Sequence, residues 1–164
     1  MSYIQEFEFY HGIVLTKLLR KKGLRLSLIE FDQNAGTALY NINDEFVQIK
    51  YRRLDKGSDK VWQFTFSEAE GSRLNALISA GMGVNLALVC GLESTDPESR
   101  KNTHICLLHK PDIIQTVDFS RRKGESIRVR AKEGGSLRVF GKLREKDNPL
   151  IVPRNRISSW ELPK

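Results

Sequence analysis

Residues 84–91, VNLALVCG, are apolar at almost every position. A half-exposed strand would alternate; a continuous run is the pattern of a strand buried on both faces, often beside a parallel neighbour. That requirement places the chain among α/β or α+β domains, in which helices flank a mixed sheet.

A second strand is specified at 46–52, FVQIKYR. Val47, Ile49 and Tyr51 point one way, and Phe46, Gln48, Lys50 and Arg52 the other. The apolar face belongs on a core. The amide, ammonium and guanidinium opposite either meet solvent or line a site.

The remaining elements follow in order. Val14, Leu15, Leu18 and Leu19 recur at helical spacing, with Lys17 to Lys22 towards the carboxyl end and Gly23 as a stop, so a helix is predicted over 5–21. Alternation predicts strands at 24–31, 37–42 and 61–66, with turns at 33–36 and 43–45 and a polar loop at 54–59. Ser67 and Glu70 form a capping box ahead of a helix carrying Leu74, Leu77 and Ile78. After a charged loop at 93–102, HICLLH (104–109) reads as a strand, and a short helix runs from Pro111 through Val117. The runs SIRVRAK and SLRVFGK, joined by Glu133-Gly134-Gly135, predict a hairpin. The tail beyond it, with three prolines, reads as irregular. The expected architecture is one domain over 1–164, a single mixed sheet flanked by two or more helices. Residues 120–164, the basic hairpin and tail, pack on that domain.

No window approaches the roughly 18 uninterrupted apolar residues of a membrane helix, and the acidic opening MSYIQEFEFYHG lacks the basic flank of a signal peptide. A cytoplasmic location is the resulting expectation, with Cys90 and Cys106 as reduced core thiols. The net charge of +7 is concentrated: residues 1–119 hold 14 Lys and Arg against 15 Asp and Glu, whereas 120–164 hold 13 against 5. A localised basic field points to a polyanionic partner. Ile127, Val129, Ala131, Leu137 and Val139 face inward in the hairpin, leaving Arg128, Arg130, Lys132, Arg138 and Lys142 outward with Phe140. With Arg121, Arg122 and Lys123 just before it, this ribbon is the candidate nucleic-acid surface, DNA or RNA, binding phosphates and stacking a base. The competing reading is an edge hairpin whose charges deter pairing.

The order α-β-β-β-(β)-α-β, with Asp32 ahead of Gln48-Ile49-Lys50, resembles the PD-(D/E)xK nuclease superfamily, related to restriction endonucleases. Some of its branches carry Gln at the middle carboxylate position. The resemblance implies a nuclease-like core. It also implies a catalytic set of Asp32, Gln48 and Lys50, with Mg²⁺ held by Asp32, assisted by Asp44 at the neighbouring turn. On the bottom-up side, Gln48 and Lys50 share a strand face and could address one phosphate. The segments FYHGIVLTKLLR, IKYRR, WQFTF and VPRNR also resemble a family of short uncharacterised bacterial proteins, which brings no activity.

Three function classes therefore stand: nucleic-acid binding through the hairpin, Mg²⁺-dependent endonuclease, and non-catalytic protein-interaction or regulatory module, with a homodimer as a further expectation. His104, Cys106, Cys90 and His109 lack zinc spacing and read as core thiols and ordinary histidines. Gly-rich phosphate loops and the Ser nucleophile elbow are absent from the sequence.

Overall fold

The computed structural model describes residues 6–32, 36–54, 60–92, 103–132 and 134–163. Its axis is β5 (Gly83–Gly91), every residue of which is buried except Gly83. It runs parallel to β3 (Glu45–Arg53) on one side and antiparallel to β6 (His104–His109) on the other. β2 (Thr37–Ile42) and β1 (Leu26–Asp32) extend the sheet by antiparallel pairing, giving the order β1-β2-β3-β5-β6. The parallel pair requires a crossover. It carries β4 (Val61–Phe66) and α2 (Glu68–Ser79).

Each face of this mixed sheet is covered by a different layer. Val47, Ile49, Ala87, Val89 and Leu107 pack against Tyr10, Val14 and Leu18, spaced one turn apart on α1 (Glu6–Leu19). The opposite face presents Leu86, Leu88, Cys90, Cys106 and Leu108 to a second sheet. That sheet is antiparallel throughout, in the order β4-β7-β8-β9, with β7 at Glu125–Ala131, β8 at Leu137–Phe140 and β9 at Leu150–Val152. Trp62, Phe64 and Phe66 from β4, with Ile127, Val129 and Val139 from the hairpin, make its inner face, and Leu74 of α2 closes the same core. Each such side chain contributes roughly 1.5–3 kcal/mol on burial.

The α/β class with a mixed sheet flanked by helices is as the sequence predicts, but a single sheet is not what forms. β4 and the hairpin separate into their own sheet, because β4 pairs with β7 rather than with β3. The tail is also more ordered than its prolines suggest: it supplies β9 and the short α4 (Arg156–Ser159). The helix expected over 5–21 ends at Leu19, and the strand expected from Leu24 begins at Leu26. α3 (Lys110–Thr116) starts one residue before Pro111, its first turn anchored by the Asp112 carboxylate accepting from the His109 amide at 2.9 Å. A 3-10 turn, Phe119–Arg121, leads into β7. Most of the turn expected over 33–36 and of the loop over 54–59, the loop at 93–102 and Glu133 lie outside the described residues.

Candidate functional site

The polar face of β3 is buried at Gln48 and Lys50 and reaches solvent at Arg52. Gln48 pairs in register with Leu86 and Lys50 with Leu88, so both side chains enter the layer between the sheet and α2. Gln48 is wholly buried and Lys50 is 6% exposed. Buried polar groups require partners, and α2 supplies them. The Lys50 ammonium donates to Glu70 Oε2 at 2.6 Å, and the Gln48 amide donates to the same oxygen at 3.1 Å and to Thr37 Oγ1 at 2.9 Å. Glu70 Oε1 accepts from the Ser67 amide, so one carboxylate caps its own helix and ties that helix to the sheet. One turn on, the Arg73 guanidinium donates to Gln48 Oε1 at 3.3 Å and pairs with Glu30 from β1. Its Nε is buried with no partner among the described residues, and burial lowers its pKa. The Phe66 ring lies 4.7 Å from the Lys50 ammonium, a cation–π contact that further fixes it.

Backbone geometry sets the register of this cluster. Gly36 has φ +61° and its missing Cβ would lie 2.6 Å from the Tyr51 ring, so only glycine can lead Thr37 into β2 beside Lys50. Asp32 pairs with Thr37, which pairs with Lys50. Asp32 therefore shares a row with Lys50 two strands away, about 10 Å across the sheet. Asp44 does not join them. It occupies the β2–β3 turn at φ +67°, faces Arg25 at 3.7 Å, and stands six residues from Lys50, roughly 20 Å along an extended strand. Asp32 and Asp44 cannot share one ion at that separation, which corrects the expected metal pair.

The cluster as arranged does not fit a hard divalent cation, which takes oxygen ligands in near-octahedral order. The oxygens of Glu70, Gln48 and Glu30 already accept from an ammonium, a guanidinium and amides. Among the described residues there is no group of three or more His, Cys, Asp or Glu placed to hold a metal. Chemically, the network is a neutralised tether between α2 and the mixed sheet. Sequence reasoning took Glu70 only as a cap and passed over Thr37, Arg73 and Glu30; the Ser67–Glu70 box was the one visible signal.

The second sheet presents a different surface. Its inward residues are as predicted, with Ile127, Val129, Leu137 and Val139 wholly buried. Outward, Arg128 is opposite Phe140 and Arg130 is directly opposite Arg138. Arg128 is held by Gln63 of β4 at 3.3 Å. β7 and β8 are both interior strands, flanked by β4 and β9, so edge protection does not account for their cations. Phe140, expected as a stacking platform, is only 7% exposed, and the Arg130 guanidinium carbon lies 6.0 Å from its ring centre. At the start of β7, Lys142 lies beside Lys123 and Arg121; these neighbouring cations lower its pKa, opposed by Glu125. Arg122 adjoins them in the left-handed conformation, φ +53°. Lys132 lies at the opposite end of β7 and is exposed. The predicted basic residues thus run along β7 from end to end, with Arg138 beside them on β8 and Lys142 just beyond it.

Among the described residues, no helix is long and apolar enough to cross a membrane. No protein family, curated protein or solved structure matches the chain.

Proposed function

We propose that the protein binds nucleic acid, laying a phosphate backbone along the outward face of its second sheet. The observation that carries this reading is the direct opposition of Arg130 and Arg138 on two interior strands. Like charges opposite one another destabilise a sheet. A polyanion lying over them would turn that repulsion into attraction and release counterions. Arg128 on the same face, and the Arg121, Lys123 and Lys142 group at one end, extend the strip beyond a single phosphate contact. With Phe140 covered by Arg130, the contact is with backbone and not through base stacking, which favours binding indifferent to sequence.

A mobility-shift titration at several salt concentrations tests this. Affinity should fall linearly on a log–log plot against salt, with a slope close to the number of phosphates engaged. Failure to shift either DNA or RNA at low salt rules the reading out.

The nuclease resemblance finds support at one level. The β1-β2-β3 meander joined through α2 to a parallel β5 is the element order the resemblance implies. The Lys50–Glu70–Gln48 network supports a structural tether at the position where that resemblance would place Mg²⁺ chemistry. We therefore read the core as a scaffold for binding.

A further inference from the structure

A second basic constellation lies outside the hairpin face, assembled from residues remote in sequence. A cavity of about 310 Å³ opens where the ends of the two sheets meet, lined by Lys60, Trp62, His104, Lys132, Gly134 and Arg154 among others. Among the described residues, no carboxylate lines it. Its volume is at the small end of ligand pockets.

The cations here are organised. Arg154 Nε donates to the Gly135 carbonyl and Nη2 to the Lys132 carbonyl, fixing the guanidinium plane. Nη1 lies 3.1 Å from His104 Nε2 and 3.2 Å from Nδ1. A guanidinium has five N–H groups, so hydrogens on Nη1 and Nη2 remain for a further acceptor. The His104 ring is packed against the Trp62 edge, 6.0 Å between centres at 87°, and Trp62 is locked by its own bond to Gly91 O at 2.8 Å. Lys60 and Lys132 are exposed on either side. Burial, then the charges of Arg154 and Lys60, push the His104 pKa down to about 4. Three permanent charges and a suppressed fourth thus gather around one small cavity.

We infer that this pocket binds a phosphate group, the terminal phosphate of a nucleic-acid strand held on the adjoining sheet, through Arg154, Lys132, Lys60 and His104. A terminal phosphate carries more charge than a backbone diester and offers three acceptor oxygens, matching a site whose described lining presents several donors. Lys132 belongs both to this pocket and to the end of the basic strip, so a strand following β7 arrives here. The assignment to a strand terminus rests on the nucleic-acid reading above; the pocket itself does not.

The test has two arms. Histidine NMR titrations are recorded with and without inorganic phosphate, and affinities are compared for 5′-phosphorylated, 3′-phosphorylated and unphosphorylated oligonucleotides of one sequence. Phosphate should raise the His104 pKa by about one unit as it offsets the neighbouring charges. One terminally phosphorylated oligonucleotide should bind about tenfold more tightly than the unphosphorylated one, the scale of one charge-assisted contact. In Lys60→Gln, an exposed position outside the hairpin face, both effects should shrink while the unphosphorylated oligonucleotide binds as before. An unmoved His104 in millimolar phosphate overturns the pocket. A phosphate-dependent shift with equal oligonucleotide affinities overturns the strand-end assignment and leaves a site for free phosphate. A shift with no oligonucleotide binding at all counts against the nucleic-acid reading and supports the pocket.

Discussion

Lys50 of β3 and Glu70 of α2 form an ion pair at 2.6 Å with side chains only 8% and 15% exposed. Removing one member leaves the other's charge buried and unpaired. Such a loss costs about 3–5 kcal/mol, whereas removing both charges leaves nothing uncompensated. Lys50→Met and Glu70→Gln should therefore each lower the urea midpoint strongly, and the double variant should be more stable than the sum of the single losses predicts. Additive losses in that double-mutant cycle would mean that the pair contributes no coupling and that α2 is held by Leu74 packing alone.

That pair also marks the limit of what the sequence discloses. Alternation correctly assigned the two faces of β3, and the continuous apolar run correctly made β5 a fully buried strand with a parallel neighbour. Both are local signals, since side-chain period follows from backbone geometry. Pairing partners are not local. β4 follows β3 in the chain, yet it pairs with β7, a strand remote in sequence, and period-two alternation cannot choose between those sheets. Glu70 shows the same limit within one residue: its capping role is legible from Ser67 three positions earlier, its bond to Lys50 is not. Lys60, His104, Lys132 and Arg154 give no motif at all, because their convergence depends on two sheets ending at the same place.

Arg138 should trade stability for binding. It faces Arg130 across β7 and β8, and directly opposed like charges cost a few tenths of a kcal/mol up to about 1. Arg138→Thr should thus raise the midpoint slightly while weakening nucleic-acid binding and reducing the salt slope by about one. Arg128→Gln should reduce the slope equally, with stability little changed, since Arg128 is opposite Phe140 and not another cation. If the slope is unaltered in both variants, phosphate contacts lie elsewhere on the molecule.

The two thiols should be inert while the chain is folded. Cys90 and Cys106 are free and wholly buried. Burial raises both thiol pKa values, for Cys90 with a further contribution from the neighbouring Cys106. The thiolate is the reactive form, so a disulfide exchange reagent at pH 8 should label neither residue without denaturant. Labelling should appear together with global unfolding. Rapid native-state labelling of Cys106 would show that the region between the sheets opens locally.

Stability should rise with pH through the histidine range. Burial lowers the pKa of His11, His104 and His109 below 6.5, to about 4 for His104. A histidine held neutral in the fold binds its proton more readily once unfolded, so the unfolded state gains protons first as pH falls. The contribution is complete above the unfolded value of about 6.5. It declines below that, for His104 until about pH 4, where the folded form also protonates. His104 faces Arg154 and Lys60, whose charges oppose its protonation; His109 is opposed by Arg156 but assisted by Asp112 and Glu45. His104→Gln should accordingly flatten the stability curve between pH 4 and 6.5 more than His109→Gln does. Urea midpoints measured across that window provide the check, and an unchanged slope in His104→Gln would show that this imidazole is not desolvated by Trp62 and Arg154 in solution.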